Sequence, residues 1–115
     1  AVQIDGLVLM ADSFGDLSRD LLRQIGDRMK QAEPNSVLLL AGVENGQVTL
    51  VGMAADAAVK RGVHAGNLVK EISAMIGGSG GGKPNMGQGG GKEPEKLKDA
   101  LAQAESIVRR QIGLQ

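Results

Sequence analysis

The sequence of 115 residues has no Cys, Trp or Tyr, and it has a single Phe and a single His. The absence of Cys excludes a disulfide framework, a thiolate metal site and a cysteine nucleophile. The single His, His64, argues against a His-based metal cluster and against a Ser-His-Asp triad. The single Phe, Phe14, argues against a single-strand binder that stacks bases on aromatic side chains. Catalysis by this chain alone therefore has little support in the sequence.

Long apolar runs are missing as well. A run such as Val37 to Ala41 is far below the roughly 20 residues that a membrane span needs, and we expect no signal peptide. With 42% hydrophobic and 23% charged residues, the composition is typical of a folded domain. We predict that residues 1–115 form one globular domain in the cytoplasm, without membrane association. Because Ala1 is not an initiator Met, we expect a fragment of a longer chain.

The charges are balanced overall, with thirteen Lys and Arg against thirteen Asp and Glu, but they are unevenly placed. Residues 1–56 carry eight acids and four bases (net −4), whereas residues 57–92 carry five bases and one acid (net +4). The basic part overlaps a glycine-rich segment, Gly77–Lys92. Basic side chains beside exposed backbone N–H groups suit a polyanion such as phosphate or nucleic acid. The alternative is a solvated loop whose lysines provide solubility.

Hydrophobic periodicity predicts an α/β fold in which a mixed β-sheet packs against helices. Asn45-Gly46 is the strongest hairpin signal, and Pro94 suits the start of the last helix. The predicted order is β-α-β-β-α-loop-α: strand Gly6–Ala11, helix Asp16–Glu33, strands Ser36–Gly42 and Gln47–Ala54, helix about 65–76, a Gly-rich loop 77–92, and a helix from Pro94 to about Ile112.

The Gly-rich segment has several possible functions. A flexible linker explains the glycines but not Lys83-Pro84-Asn85-Met86 between them. Residues Gly77 to Lys83 fit the first seven positions of a Walker phosphate loop, but Pro84 replaces the hydroxyl residue and the segment follows a helix. A dinucleotide fingerprint fails in the same context, because it must follow a strand and open a helix.

A polyanion-binding segment is the remaining interpretation. Glycines let a sugar-phosphate backbone approach closely and can turn N–H groups toward one oxygen. Lys83 and Lys92 add positive charge, and Asn85 and Gln88 offer donors and acceptors to base edges or 2′-hydroxyls. Pro84 restricts the segment between its glycine clusters.

These residues also carry a family resemblance. Residues 80–90 are Gly-Gly-Gly-Lys-Pro-Asn-Met-Gly-Gln-Gly-Gly, and they resemble the Gly-Gly-Gly-Arg-Pro-Asp-Met-Ala-Gln-Ala-Gly-Gly signature of the C-terminal domain of alanyl-tRNA synthetase. The upstream residues 64–70 agree with the same pattern. That domain is related to the accessory domain of Asp-His-His phosphoesterases. Four residues depart from the signature: Lys83 replaces Arg, Asn85 replaces Asp, and Gly87 and Gly89 replace Ala. Lys lacks the planar fork of Arg.

The resemblance implies a non-catalytic tRNA-binding domain that contacts the outer corner of the tRNA and helps link aminoacylation to editing. It further implies an alanine-tRNA ligase as the parent enzyme, with ATP, Mg and Zn used in other domains and no cofactor or metal here. Expected partners are alanine tRNA and the aminoacylation and editing domains, and we expect the isolated domain to be a monomer. The alternative is the nucleic-acid-binding domain of a phosphoesterase, whose glycine motif typically holds a His that this segment lacks.

We predict a nucleic-acid site centred on the glycine segment and its basic neighbours, and no catalytic residue. The alternative role of each basic side chain is ordinary solvation of the surface. The predicted site residues are Gly80, Gly81, Gly82, Lys83, Pro84, Asn85, Met86, Gln88, Gly89, Gly90, Lys92, Lys70, His64, Lys60 and Arg61.

Overall fold

A six-stranded β-sheet forms the centre of the structure, a computed structural model that describes residues 1–114. The strand order across the sheet is β1-β2-β3-β4-β6-β5. Strands β2 and β3 are parallel, and the other neighbouring pairs are antiparallel. The strands are β1 (Val2–Ile4), β2 (Leu7–Ser13), β3 (Ser36–Glu44), β4 (Gln47–Ala54), β5 (Ser79–Gly82) and β6 (Met86–Gly91).

Two tight turns fix the register of the first and second hairpins. The Asn45-Gly46 turn between β3 and β4 has positive φ at both residues, 51° and 75°, as a type I′ turn requires. Asp5-Gly6 forms the same kind of turn between β1 and β2, with φ values of 49° and 89°. The sequence predicted the Asn45-Gly46 hairpin but only one strand, Gly6–Ala11, in the region of β1 and β2, although Asp-Gly is an equally good type I′ signal.

Helices lie on both faces of the sheet. Helix α1 begins after Ser18, whose hydroxyl accepts a hydrogen bond from the Leu21 N–H at 3.2 Å, as an N-cap does. Leu17 and Leu22 flank this cap and belong to the same apolar cluster, which is the arrangement of a hydrophobic staple. The helices are α1 (Arg19–Ala32), α2 (Asp56–Lys60), α3 (Ala65–Met75), α4 (Leu97–Ala102) and α5 (Ala104–Gln111), with a 3₁₀ turn at Pro94–Lys96.

Alternation along the strands divides the core into two clusters. In β3, Leu38 and Leu40 face α1, whereas Val37, Leu39 and Ala41 face the cluster that contains α3, α4 and α5. Both faces of β3 are therefore buried, which explains its continuous apolar sequence. The two clusters hold the sheet between α1 on one side and α3 to α5 on the other.

The predicted α/β class, a mixed sheet packed against helices, is confirmed. The prediction of a Gly-rich loop over residues 77–92 is wrong, because most of this segment forms β5 and β6. Glycine is a poor strand former, but β6 pairs with β4 over six residues, from Val48↔Gly91 to Met53↔Met86, and this pairing overrides the local preference. The predicted last helix is divided into the 3₁₀ turn, α4 and α5.

Candidate nucleic-acid interface

The β5–β6 hairpin lies at one edge of the sheet and presents Lys83, Pro84 and Asn85 at its exposed turn. The Lys83 N–H donates to the Met86 carbonyl at 2.8 Å, and the Met86 N–H donates to the Lys83 carbonyl at 3.3 Å. Pro84 occupies the first central position of this turn, which its fixed φ suits. Because φ of Asn85 is not positive, the turn does not have type II geometry.

One face of the hairpin is covered by α3, and the glycines on that face leave room for the helix. A β-carbon on Gly87 would lie 2.7 Å from the Cα of Gly66 in α3. A β-carbon on Gly80 would lie 2.9 Å from the buried Ser73 Oγ, and one on Gly89 would lie 2.8 Å from Val69. All three distances are shorter than a normal van der Waals contact. The glycines of this face therefore have a packing role.

The N-terminus of α3 is tied to the hairpin turn. The Ala65 N–H donates to the Pro84 carbonyl at 2.8 Å, and the Gly66 N–H donates to the Lys83 carbonyl at 2.9 Å. His64 caps the helix, because its Nδ1 accepts from the Asn67 N–H at 2.9 Å. These amide groups already have partners, so the N-terminus of α3 is not an anion site. His64 thus acts as a capping residue beside the turn.

The opposite face of the hairpin is not covered by α3. We call it the open face, and by strand alternation it consists of Ser79, Gly81, Gln88 and Gly90. A β-carbon on Gly81 would meet no atom within 4 Å, so packing does not explain the glycine there. A shallow groove of about 520 Å³ runs along the open end of this face, and Gln47, Gln88, Lys92 and the N-terminal residue of α1, Arg19, contribute to its lining.

Arg19 is a residue of this groove that the sequence analysis missed. Its Nε donates to Thr49 Oγ1 in β4 at 3.0 Å, and its Nη2 donates to the Gly89 carbonyl in β6 at 2.9 Å. The guanidinium therefore links α1 to two strands of the sheet. No local pattern in the sequence indicates a partner 70 residues away.

The structure brings together most of the predicted site residues. Gly80 to Gly90 form the hairpin, His64 lies against its turn, and Lys83 and Lys92 are exposed at its opposite ends. Lys70 is exposed on α3, the helix that covers the other face.

Lys60 and Arg61 lie elsewhere. Arg61 Nη2 binds Asp5 Oδ2 at 2.7 Å in the β1–β2 turn, at the opposite edge of the sheet from β5. Lys60 precedes it at the end of α2.

In the segment after β6, a hydrogen bond from Lys96 to Glu93 and the charge of that carboxylate raise the pKa of Lys96, but this pair is not part of the open face.

Residues 1–114 contain no group of three or more His, Cys, Asp or Glu side chains placed to hold a metal ion. Within the same residues, no helix has the length and apolar character needed to cross a membrane.

Comparison with known proteins gives consistent results. Residues 6–110 match the family model of the DHHA1 domain. Alanine–tRNA ligase 1 of Lachnoclostridium phytofermentans is 42% identical over 111 residues, which cover 96% of this chain and 13% of that protein. The alanine–tRNA ligase of Natranaerobius thermophilus is 40% identical over 110 residues, 96% of this chain and 12% of that protein. The chain thus spans about an eighth of the length of these relatives.

A solved structure has the same fold. The crystal structure of the C-Ala domain from Aquifex aeolicus alanyl-tRNA synthetase superimposes with a TM-score of 0.82 and covers 97% of both chains, at 22% sequence identity. The likeness at this identity concerns the arrangement of strands and helices.

Proposed function

Because this chain belongs to the DHHA1 domain family, we propose that it is the tRNA-binding C-terminal domain of an alanine–tRNA ligase. The observation that carries the proposal is the open face, where bare backbone at Gly81 adjoins Gln88 and lies between two exposed lysines, Lys83 and Lys92. The ligases of the two bacterial relatives match almost the whole chain.

The chemistry of this face supports the proposed binding of folded RNA. A strand without side chains lets a sugar-phosphate backbone or a base pair approach the protein closely. Lys83 and Lys92 supply charge for phosphates at the two ends of the hairpin, and the Gln88 amide supplies one donor group and one acceptor for base edges or 2′-hydroxyls. Recognition of this kind depends on shape and backbone more than on sequence.

In the proposed parent enzyme, the domain contacts the outer corner of the tRNA and presents it to the aminoacylation and editing domains. It performs no chemistry itself, and ATP, Mg and Zn belong to other domains. The proposal places the enzyme in the cytoplasm, and the isolated domain is proposed to be a monomer. Lys60 and Arg61 lie outside the proposed contact surface, because they are at the far edge of the sheet.

The test is a salt-titrated fluorescence anisotropy measurement with labelled alanine tRNA, a non-cognate tRNA and a single-stranded oligonucleotide. Wild type is compared with Lys83→Ala and with Lys98→Ala, which removes an exposed lysine on α4. We expect a preference for folded tRNA that weakens in Lys83→Ala and not in Lys98→Ala. A preference for the single strand would instead favour the substrate-binding domain of a phosphoesterase. Equal losses of tRNA affinity in the two variants would show that the hairpin is not the binding site.

A further inference from the structure

Three of the four cations of α1 lie along one side of the helix. Arg19, Arg23 and Lys30, with Gly26 between the last two, have the spacing i, i+4, i+7 and i+11, and residues at this spacing share one face of a helix. We call Arg19, Arg23 and Lys30 the basic stripe. Within residues 1–114, none of the three is in an ion pair. Arg23 is exposed and Lys30 is partly exposed.

Two contacts show which way the basic stripe faces. At its first position, Arg19 reaches Thr49 in β4 and the Gly89 carbonyl in β6. Gly26 lies between Arg23 and Lys30 on the same side of the helix, and a β-carbon on Gly26 would lie 2.8 Å from Met53 Sδ in β4. The side of α1 that carries the stripe therefore lies over β4 and toward β6.

The register of the sheet extends this relationship along the whole hairpin. Thr49 pairs with Gly90, and Met53 pairs with Met86, so α1 follows β6 from the Gly90 end to the Met86 end. Lys30 is one further helical turn beyond Gly26, roughly 6 Å along the axis. It therefore lies toward the end of the hairpin where Lys83 is exposed. The register therefore places the basic stripe on the side of α1 that is next to the open face, and Arg19 is the member that lines the groove.

We infer that α1 forms a second side of the RNA-binding surface, in which Arg23 and Lys30 contact phosphates of a strand lying between α1 and the open face. This inference rests on the proposed function. The two side chains are roughly 10 Å apart along the helix axis, so they contact different phosphates. Asp20 and Asp27 are exposed on the neighbouring side of the helix, each about 100° around the axis from the stripe position that precedes it.

The chemistry of the surface favours a polyanion over a protein partner. The centre of a protein interface is usually apolar and aromatic, and Lys is depleted there. Here the floor is glycine backbone with the polar side chains of Ser79 and Gln88, and cations border it. Phosphate contacts by Lys and Arg position a nucleic acid without reading its sequence, which suits a domain that recognises tRNA by shape.

The experiment compares two charge-matched double variants of the 115-residue chain. Arg23→Gln with Lys30→Gln removes two charges from the basic stripe. Arg28→Gln with Lys98→Gln removes two charges from other surfaces: Arg28 is exposed on α1 but off the stripe, and Lys98 is exposed on α4. Binding of labelled alanine tRNA is measured over a series of salt concentrations, and thermal unfolding confirms that both variants are folded.

We expect the stripe variant to make the slope of log affinity against log salt shallower by about 1.5, since each lost phosphate contact removes roughly 0.7 to 0.9. The control variant should keep the wild-type slope. Equal slopes for the two variants, alongside a clear effect of Lys83→Ala, would overturn the role of α1 and leave the proposed function intact. Absence of tRNA binding by wild type would overturn both.

Discussion

Gly66 in α3 lies directly against Gly82 in β5, so that a β-carbon on Gly66 would overlap the backbone atoms of Gly82. The two glycines let the helix and the edge strand approach backbone to backbone. We expect Gly66→Ala to lower the free energy of unfolding by about 1 to 3 kcal/mol, because overpacking against main-chain atoms cannot be relieved by a side-chain rotation. Urea denaturation followed by far-UV circular dichroism measures this change.

Gly26→Ala is the matched control for this prediction. Gly26 is also a buried helical glycine, but its nearest neighbour is the end of the flexible Met53 side chain. Ala is a better helix former than Gly by about 1 kcal/mol, and this gain offsets a small shift of Met53. We therefore expect Gly26→Ala to change stability much less. Equal destabilisation by the two substitutions would contradict the backbone-to-backbone contact as the cause.

Ser73 leads to a prediction of the opposite sign. Its side chain is fully buried between α3 and the hairpin, and its Oγ has no hydrogen-bond partner within residues 1–114. A buried hydroxyl without a partner costs about 1 to 3 kcal/mol. We expect Ser73→Ala to leave the melting temperature unchanged or to raise it by a few degrees. Ser73→Val should lower it, because Gly80 and Gly89 leave no space for two methyl groups.

Differential scanning calorimetry of the two Ser73 variants measures the difference. A lower melting temperature for Ser73→Ala would mean that the hydroxyl has a partner, such as a buried water molecule, in solution.

Arg19 is expected to stabilise the sheet as well as to border the groove. Arg19→Met keeps the apolar stem but loses the hydrogen bonds to Thr49 and to the Gly89 carbonyl. We expect a loss of about 1 to 2 kcal/mol in the free energy of unfolding, measured by urea denaturation. Arg23→Met is the control, since Arg23 has no ion pair within the described residues, and its effect should stay within about 0.5 kcal/mol.

The sequence was sufficient to predict the elements whose signals are local. The Asn45-Gly46 turn, the apolar strand β3 and the amphipathic helix α1 all follow from residues within one element. The α/β class could therefore be predicted before any long-range contact was known. Asp5-Gly6 carried the same kind of local signal, and the missed hairpin at β1–β2 was an error of interpretation.

The strands β5 and β6 could not be predicted in the same way. Seven of the ten residues in these two strands are glycine, which indicates a loop by local propensity. The strands arise only because β4 supplies hydrogen-bond partners and α3 covers one face. The basic stripe was equally hidden, because its position beside β6 depends on Arg19 reaching Gly89. For the candidate site, local chemistry indicated the hairpin residues, whereas the second side of the groove required the tertiary arrangement.

Gly81 offers a test of the open face itself. A β-carbon at this position would meet no atom within 4 Å, and φ lies outside the left-handed region, so Gly81→Ala should fold with a stability equal to wild type or slightly higher. If RNA lies against the bare backbone, even one methyl group separates the two surfaces. We expect Gly81→Ala to weaken the binding of alanine tRNA several-fold and Gly81→Val to weaken it more.

Affinity and its salt dependence together distinguish steric exclusion from the loss of a phosphate contact. Steric exclusion predicts weaker binding with an unchanged salt slope, because no phosphate contact is lost, whereas Lys83→Ala should weaken binding with a slope shallower by about 0.7 to 0.9. Anisotropy titrations at several salt concentrations separate the two effects. Wild-type affinity in both Gly81 variants, with stability retained, would show that the open face is not the surface that tRNA contacts, even if the lysines at its ends are.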